Sequence, residues 1–293
     1  MNRNSTYHIV RMRQDQIQRV IEQNVSQSID EDVGEGDVNA SLIPPENQSL
    51  AVLMTRSAGV FCGKPWADET AEQIGGFTID WQINEGDTVQ PSQELAQLRG
   101  QSRSILSAER VMINFLQLLS GTATLTKAYC DRISHTKTQL LDTRKTLPGL
   151  RIAQKYAVSV GGGKNHRMGL FDAFLIKENH IAAAGSIHDA VREARNEHPE
   201  LPLEVEVETL DQLSECVAIG VPRALLDNFS LDETRKAVNN FGDRIELEAS
   251  GGVTLENIRE IAETGVDYVS VGAITKNVIA LDLSLRFTGT SVQ

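Results

Sequence analysis

The sequence predicts an α/β protein: a parallel α/β barrel, closed or open, preceded by an N-terminal α+β domain that contains antiparallel strands. Three observations predict it. After about residue 138, six short apolar runs that end in a polar or charged residue alternate with helical stretches, the pattern of β-α-β units with parallel strands. Two of these runs, 203–208 and 245–250, alternate apolar and polar residues, so that Glu204, Glu206 and Glu208 share one face, as do Glu246, Glu248 and Ser250. A central strand of a doubly wound sheet is apolar on both faces, whereas a barrel can turn a polar face into a solvated, ligand-filled interior. Between residues 50 and 98, short apolar runs are instead broken by Gly, Pro and Asn-Glu-Gly-Asp, which reads as antiparallel strands.

In chain order, residues 15–32 place Ile17, Val20, Ile21, Val25 and Ile29 near the helical period and predict an opening helix that stops at the acidic, glycine-rich turn 31–37. Strands follow at 51–54, 59–61 and 77–83. Residues 104–119 form a strongly apolar helix whose charges are Glu109 and Arg110, and it is expected to be buried. The parallel strands are expected at 139–144, 172–177, 203–208, 223–227, 245–250 and 268–272, with helices at 187–197, 210–219, 231–240 and 255–263. The division that results is an N-terminal domain over 1–124, a barrel domain over 125–280 and a tail, 281–293, that packs with the first.

At 293 residues the chain exceeds a single unit at roughly 150 residues per domain. The formal net charge of −12 repels phosphate backbones and anionic membranes at long range, which argues against nucleic-acid or membrane partners but leaves room for a local basic site. Cys62, Cys130 and Cys216 are widely spaced, match no metal-ligand pattern and read as reduced thiols packed as small apolar groups. The polar N-terminus lacks an apolar core of signal-peptide length, and no run approaches the ~18 apolar residues of a membrane span, so a reducing cytoplasm is the expected location.

The chemistry of an α/β barrel lies at the C-terminal ends of its strands, which here carry Thr143, Arg144, Lys145, Lys177, Glu206, Asp227, Ser250 and Gly272. Residues 139–180 hold seven Lys or Arg against three Asp or Glu, and that reversal of sign in an acidic chain points to an anionic ligand. Arg151, Lys155 and Lys164 fall at helix or loop spacing and read as bases paired with surface acids. Arg144, Lys145 and Lys177 end core strands, where an unpartnered cation is costly, so a ligand or a carboxylate has to meet each one. Glu206 and Asp227 can hold a Mg²⁺ that a pyrophosphate shares, or can neutralise Lys145 and Lys177; spacing leaves both open.

Two glycine clusters follow. In Gly161-Gly-Gly-Lys164 a P-loop would need its first glycine at Val158 and a hydroxyl residue at Asn165, so a tight turn is expected instead. Ser250-Gly-Gly252 and Val271-Gly-Ala273 follow the last two strands, where barrels bind phosphate through backbone N–H groups, although a plain left-handed turn explains them as well. The phrase from Asn84 to Leu95 resembles a biotinyl or lipoyl carrier hairpin. No lysine occurs between Lys64 and Lys127, so no cofactor can be attached there.

The run Leu141-Asp-Thr-Arg-Lys-Thr-Leu-Pro-Gly-Leu-Arg151, with Gly161-Gly-Gly-Lys-Asn-His-Arg167 and Phe174-Leu-Ile-Lys-Glu-Asn-His180, resembles the quinolinate phosphoribosyltransferases. So do Glu204-Val-Glu-Val-Glu208, Leu226-Asp-Asn228, Glu248-Ala-Ser-Gly-Gly252 and Ser270-Val-Gly-Ala-Ile-Thr-Lys276, and nearly the whole chain is covered. The resemblance implies phosphoribosyl transfer from phosphoribosyl pyrophosphate to quinolinate, with decarboxylation to nicotinate mononucleotide in the synthesis of NAD. It assigns Arg110, Arg144, His166, Arg167 and Lys177 as cations for the quinolinate dianion, together with Thr143. It places Lys145 on the departing pyrophosphate, Glu206 and Asp227 on the ribose and a Mg²⁺, and Ser250, Gly251, Gly252, Val271, Gly272 and Ala273 on the 5-phosphate. Lys145, Lys177, Glu206 and Asp227 are the implied catalytic set. Arg110, which precedes the barrel, would reach a neighbouring subunit's site, so a homodimer with shared sites is implied. The alternatives are a relative that uses another nitrogenous acceptor, a Schiff-base enzyme working through Lys177, and a non-catalytic anion-binding protein.

Overall fold

Ile17, Ile21, Val25 and Ile29 recur at the helical period, and they lie on one stripe of the first helix, α1 (Gln14–Asp32), whose Ile21 and Val25 are buried. The computed structural model describes residues 14–291; the expectation of no signal sequence falls, for residues 1–13, outside them, as do the last two residues of the tail. The chain divides into two compact units. One comprises the described residues up to 127 together with 147–162 and 277–291; the other comprises 128–146 and 163–276. A boundary drawn at residue 124 does not anticipate the return of 147–162 to the first unit. Among the described residues, no helix is long and apolar enough to cross a membrane.

The first unit contains strands β1 (Gln48–Thr55), β2 (Gly59–Val60), β3 (Phe77–Trp81), β4 (Thr88–Val89) and β5 (Glu94–Gln101), with helix α2 (Lys64–Ile74) between β2 and β3. Helix α3 (Ser102–Ile133) begins in this unit and runs beyond the expected 104–119. Its apolar surface has two faces because it serves two clusters. Ile105, Ala108, Met112 and Leu116 pack with Ala51, Leu53 and Leu98 of the sheet, while Val111, Phe115 and Leu119 pack with Val25 of α1, Trp66 of α2, and Ala153 and Ala157. The second half of α3 uses small and hydroxyl residues for close approach. The Ser120 hydroxyl accepts from Cys62 N–H at 2.9 Å, the Thr124 hydroxyl accepts from Val60 N–H at 2.8 Å, and a Cβ on Gly121 would lie 2.2 Å from the Ile279 carbonyl oxygen. The carrier-like phrase has a local purpose as well: both Glu85 oxygens accept N–H groups at the start of α2, from Gly63 at 2.7 Å and Lys64 at 3.1 Å.

Helix α4 (Arg151–Val160) explains why its segment belongs to this unit, since Ala153 and Ala157 are fully buried against the α1–α2–α3 cluster. Lys155 on the same helix is also fully buried, so it is not the surface base that its spacing suggested. Gly161, at the end of α4, lets the turn approach α3, where a Cβ would come within 2.5 Å of the Ala123 carbonyl oxygen. The glycine run is thus a packing turn.

The second unit holds the parallel strands β6 (Gln139–Leu141), β7 (Phe174–Ile176), β8 (Leu203–Val207), β9 (Arg223–Asp227), β10 (Glu246–Ser250) and β11 (Tyr268–Ser270). Helices α5 (Glu178–Ala184), α6 (Ile187–Glu197), α7 (Leu210–Ala218), α8 (Leu231–Phe241), α9 (Ile258–Ala262) and α10 (Ala273–Lys276) follow them. Ser186, Thr209 and Ser230 cap α6, α7 and α8 through their hydroxyls. The strand order is β6-β11-β10-β9-β8-β7. Each strand from β7 to β10 pairs with its successor, and β11 pairs with β6, so the ladder missing among these six strands is between the first two. A doubly wound sheet would reverse direction from an internal strand; this order is that of a barrel with one open seam. At the seam, Leu141 bridges Lys164 in parallel, with Lys164 N–H donating to Leu140 O at 2.8 Å and Asp142 N–H donating to Lys164 O at 3.1 Å. The strand expected over 139–144 therefore ends at Leu141, and the next residues turn toward this loop. Strand β12 (Leu283–Ser291) lies in the first unit, whose sheet runs β12-β1-β5-β3.

Candidate active site

The C-terminal ends of the parallel strands border a cavity of about 330 Å³ in the second unit. Thr143, Arg144 and Lys145 reach it from the end of β6, His166 and Arg167 from the seam loop, Lys177 and Glu206 from the ends of β7 and β8, and Ser250 from β10. All eight are positions that strand-end reasoning or the family resemblance had singled out. Its floor includes Leu175, Leu225, Glu248 and Ser270, none of which was expected as a site residue.

The seam loop is organised by Asp142, which is fully buried. One of its oxygens accepts the backbone N–H of His166 and the other accepts the Asn165 side-chain amide, both at 2.8 Å. The Arg167 guanidinium, 8% exposed, donates to the Ala173 carbonyl at 3.2 Å. Asp172 steadies the far side of the loop by accepting the N–H groups of Met168 at 2.7 Å and Gly169 at 3.0 Å.

The His166 ring is held at both of its nitrogens. Its Nδ1 accepts the backbone N–H of Arg167 at 2.8 Å, so the ring proton sits on Nε2, which donates to Glu204 at 3.0 Å and lies 3.5 Å from Glu248. The orientation of the imidazole is thus set from both sides.

The acidic half of the site has two layers. At the rim, the Lys177 ammonium pairs with Glu206, whose side chain is 11% exposed. Asp227 ends the neighbouring strand β9, where it accepts from the Asn228 amide at 3.0 Å and sits in register with Ser250. Glu206 is in register with Leu225, so Glu206 and Asp227 lie on the same face of adjacent strands, one pleat apart. Beneath them, Glu204 and Glu248 are fully buried. Burial, opposed by Arg223, pushes Glu204 up to about 7, and burial together with Glu204 pushes Glu248 up to about 7. Arg223, 1% exposed, stacks 3.9 Å above the Tyr268 ring, pairs with Glu246 at 3.1 Å and reaches Glu248 at 3.8 Å. Ligand atoms of His166, Glu204 and Glu248 come within 4.8 Å of one another, a spacing that suits a metal ion. The protonated Nε2 and the Arg223 charge instead make this group a hydrogen-bonded and ion-paired floor. Alternating polarity in 203–208 and 245–250 was the signal for these acids, but the pattern does not distinguish a residue facing the cavity from one sealed beneath it.

The two glycine turns flank the same strand ends. Gly251 has φ +91° and Gly252 φ +59°, a backbone open to glycine, and a Cβ on Gly251 would fall 2.1 Å from Asn228 Oδ1. Gly272 lies against Lys145 and Thr143, where a Cβ would be 3.0 Å from Lys145 Cδ, and the Thr275 hydroxyl donates to the Lys145 carbonyl at 2.8 Å. Ser250 borders the cavity directly, whereas the backbone of the turns continues past its edge. Arg110 is exposed on α3 and belongs to the first unit.

Residues 37–120 match the N-terminal domain of quinolinate phosphoribosyltransferase and residues 122–286 its C-terminal domain. A nicotinate-nucleotide pyrophosphorylase (carboxylating) of Mycobacterium leprae (strain TN) is 43% identical over 249 residues, which is 83% of this chain and 88% of that one. A probable enzyme of the same name from Bacillus subtilis (strain 168) is 39% identical over 266 residues, 88% of this chain and 90% of that one. The solved nicotinate-nucleotide pyrophosphorylase of Francisella tularensis superposes with a TM-score of 0.90 at 44% identity, covering 92% of this chain and 97% of that one.

Proposed function

The chain belongs to the quinolinate phosphoribosyltransferase family, and from that premise we propose how its own residues serve the family's reaction. The enzyme is a carboxylating nicotinate-nucleotide pyrophosphorylase. It transfers the phosphoribosyl group of phosphoribosyl pyrophosphate to quinolinate with loss of CO₂, giving nicotinate mononucleotide and pyrophosphate for NAD synthesis.

The observation that carries the residue assignments is the convergence of Arg144, Lys145, Arg167 and Lys177 on one cavity whose other rim bears Glu206 and Ser250. Quinolinate is a dianion, and charge-assisted contacts contribute roughly 1.5 to 3 kcal/mol each, with arginine suited to a carboxylate by its planar fork. Arg144, Arg167 and Lys177 bind the two carboxylates, Thr143 adds a hydroxyl, and the fixed imidazole of His166 orients the ring. Lys177 changes partner in the process, from Glu206 to the substrate, which releases Glu206 toward the ribose. As the bond from C1 to pyrophosphate breaks, positive charge grows on the ribose and negative charge on the leaving group, and Glu206 with Asp227 opposes the first while Lys145 opposes the second. Ser250 and the turns at Gly251, Gly252, Val271, Gly272 and Ala273 hold the 5-phosphate through backbone N–H groups.

Glu206 and Asp227 also fit a Mg²⁺, because two hard carboxylates on one face of adjacent strands are the donor set that this ion takes alongside phosphate oxygens. Bound there, it would supply charge that offsets the pyrophosphate. Arg110, exposed on α3, completes the site of a second subunit in a homodimer. A cytoplasmic location accords with the buried thiols of Cys62 and Cys216, the latter pushed by burial up to about 12, and the charge of −12 sets the protein apart from nucleic-acid and membrane-surface binders.

The test is one incubation with quinolinate, phosphoribosyl pyrophosphate and Mg²⁺ in which CO₂ and nicotinate mononucleotide are measured together, with parallel reactions lacking Mg²⁺ or containing nicotinate. Equal yields of both products, dependent on Mg²⁺, are expected. Turnover of nicotinate in place of quinolinate would point to another acceptor.

A further inference from the structure

Two groups of cations meet the substrate cavity from different stretches of chain: Arg144 follows β6, and Arg167 lies on the seam loop. A buried side chain, Asp142, ties those stretches together. Asp142 precedes Arg144 by two residues, and its two oxygens hold the His166 N–H and the Asn165 amide, each at 2.8 Å. Its own N–H donates to Lys164 O at 3.1 Å, so the β6 end and the loop are joined by backbone as well. The ladder of the sheet is missing at this seam, and no β6–β7 pairing sets the spacing in its place.

We infer that Asp142 is the positioning residue for quinolinate, fixing the separation of Arg144 and Arg167 so that they engage two adjacent carboxylates at once. The inference rests on the reading of those arginines as quinolinate ligands. It follows from geometry in three steps. A carboxylate whose two oxygens both hold the loop, one at the His166 N–H and the other at the Asn165 amide, keeps it from sliding along β6. Two carboxylates on neighbouring ring atoms require their partners at a defined spacing, unlike a single carboxylate. The 5-phosphate partners stand on other strand ends, and Lys145, the pyrophosphate partner that shares the β6 end, has its own anchor in the Thr275 hydroxyl on its carbonyl at 2.8 Å, so neither is set by the hold of Asp142 on the seam loop.

Asp142→Ala is therefore expected to raise the KM for quinolinate about tenfold or more, a loss typical of a misplaced ligand-binding group, while the KM for phosphoribosyl pyrophosphate stays within about twofold. Asp142→Asn is expected to rescue most of this. Its oxygen still accepts from His166 N–H, and its amide can donate to Asn165 once that side chain turns over. A rise in both KM values together with a fall in melting temperature, or no rescue by asparagine, would overturn the inference in favour of a general structural role. If Asp142→Ala does not fold, Asp142→Glu replaces it, since the longer side chain keeps both acceptors but displaces the loop, and the same split between the two KM values is required. Arg144→Ala and Arg167→Ala separate the two levels of the argument. If they leave quinolinate binding unchanged, the ligand assignment fails; if they weaken it while the Asp142 variants do not, the positioning role alone fails.

Discussion

Replacing Glu248 by glutamine is expected to stabilise the protein at pH 8 and to change little at pH 5. Glu248 is fully buried and titrates near 7 instead of the ordinary 4.5, because burial and the neighbouring Glu204 both disfavour its charge. The Arg223 guanidinium, 3.8 Å away, offsets only part of the cost of ionising a carboxyl so fully buried. Between pH 4.5 and 7 the native protein holds a proton that the unfolded chain has lost, so stability falls as pH rises through that window and is level above it. The gap between about 7 and 4.5 corresponds to roughly 3 kcal/mol at pH 8, whereas at pH 5 less than about 1 kcal/mol of it has developed. Glutamine has the shape and neutrality of the protonated acid and removes this penalty. At about 2–4 °C per kcal/mol, the melting temperature at pH 8 rises by roughly 5–10 °C, and by little at pH 5. Scanning calorimetry at pH 5, 6.5 and 8 provides the measurement. A variant that melts below the parent at pH 8, or one whose offset is the same at all three values, would refute the reasoning.

Gly251→Ala forces a Cβ to within 2.1 Å of Asn228 Oδ1 at φ +91°, and steady-state kinetics should show the KM for phosphoribosyl pyrophosphate rising about tenfold with little change for quinolinate. Mixing inactive Arg110→Ala and Lys177→Ala subunits should restore about a quarter of the parent activity, since half of randomly assorted dimers are mixed and each has one intact site. No recovery despite demonstrated subunit exchange would exclude a shared site. Gly121→Ala reverses the usual sign of a helical glycine replacement: alanine is favoured by about 1 kcal/mol in an open helix, but here its Cβ meets the Ile279 carbonyl at 2.2 Å, so urea denaturation should register a loss of roughly 1–3 kcal/mol.

Much of the site was legible because strand ends carry it. Thr143, Arg144, Lys145, Lys177, Glu206 and Ser250 could be picked out from the point at which apolar runs stop, and the structure brings all six to one cavity. The barrel was legible from the glutamates of β8 and β10, since an alternating strand needs one polar side. What sequence spacing could not convey was depth. Glu204 and Glu206 are two residues apart on one face, yet one is sealed and the other reaches the rim. Lys155 follows a helical spacing that suits a surface base, but α4 is enclosed on the side where it lies. The orientation of His166 depended on a backbone N–H one residue away, and the role of Asp142 on a loop more than twenty residues downstream. These are tertiary facts that no local pattern encodes. The same holds for the extent of α3, whose second half has the glycine and threonines of a loop and stays helical because β2 and the segment near Ile279 pack tightly on it.

The pairing of β1 with β12 bears on how the protein is made. Thr288 on β12 donates to the Leu50 carbonyl 238 residues earlier in the chain. At about 5–20 residues per second on a ribosome, β1 waits roughly 10–50 s with one row of backbone groups open, although β5 can pair with its other side almost at once. An open edge of that kind is a template for pairing with other nascent chains. The polar Gln48 and Ser49 at its start, and the twist introduced by the register shift after Leu50, are devices that make such pairing less favourable until the last strand arrives.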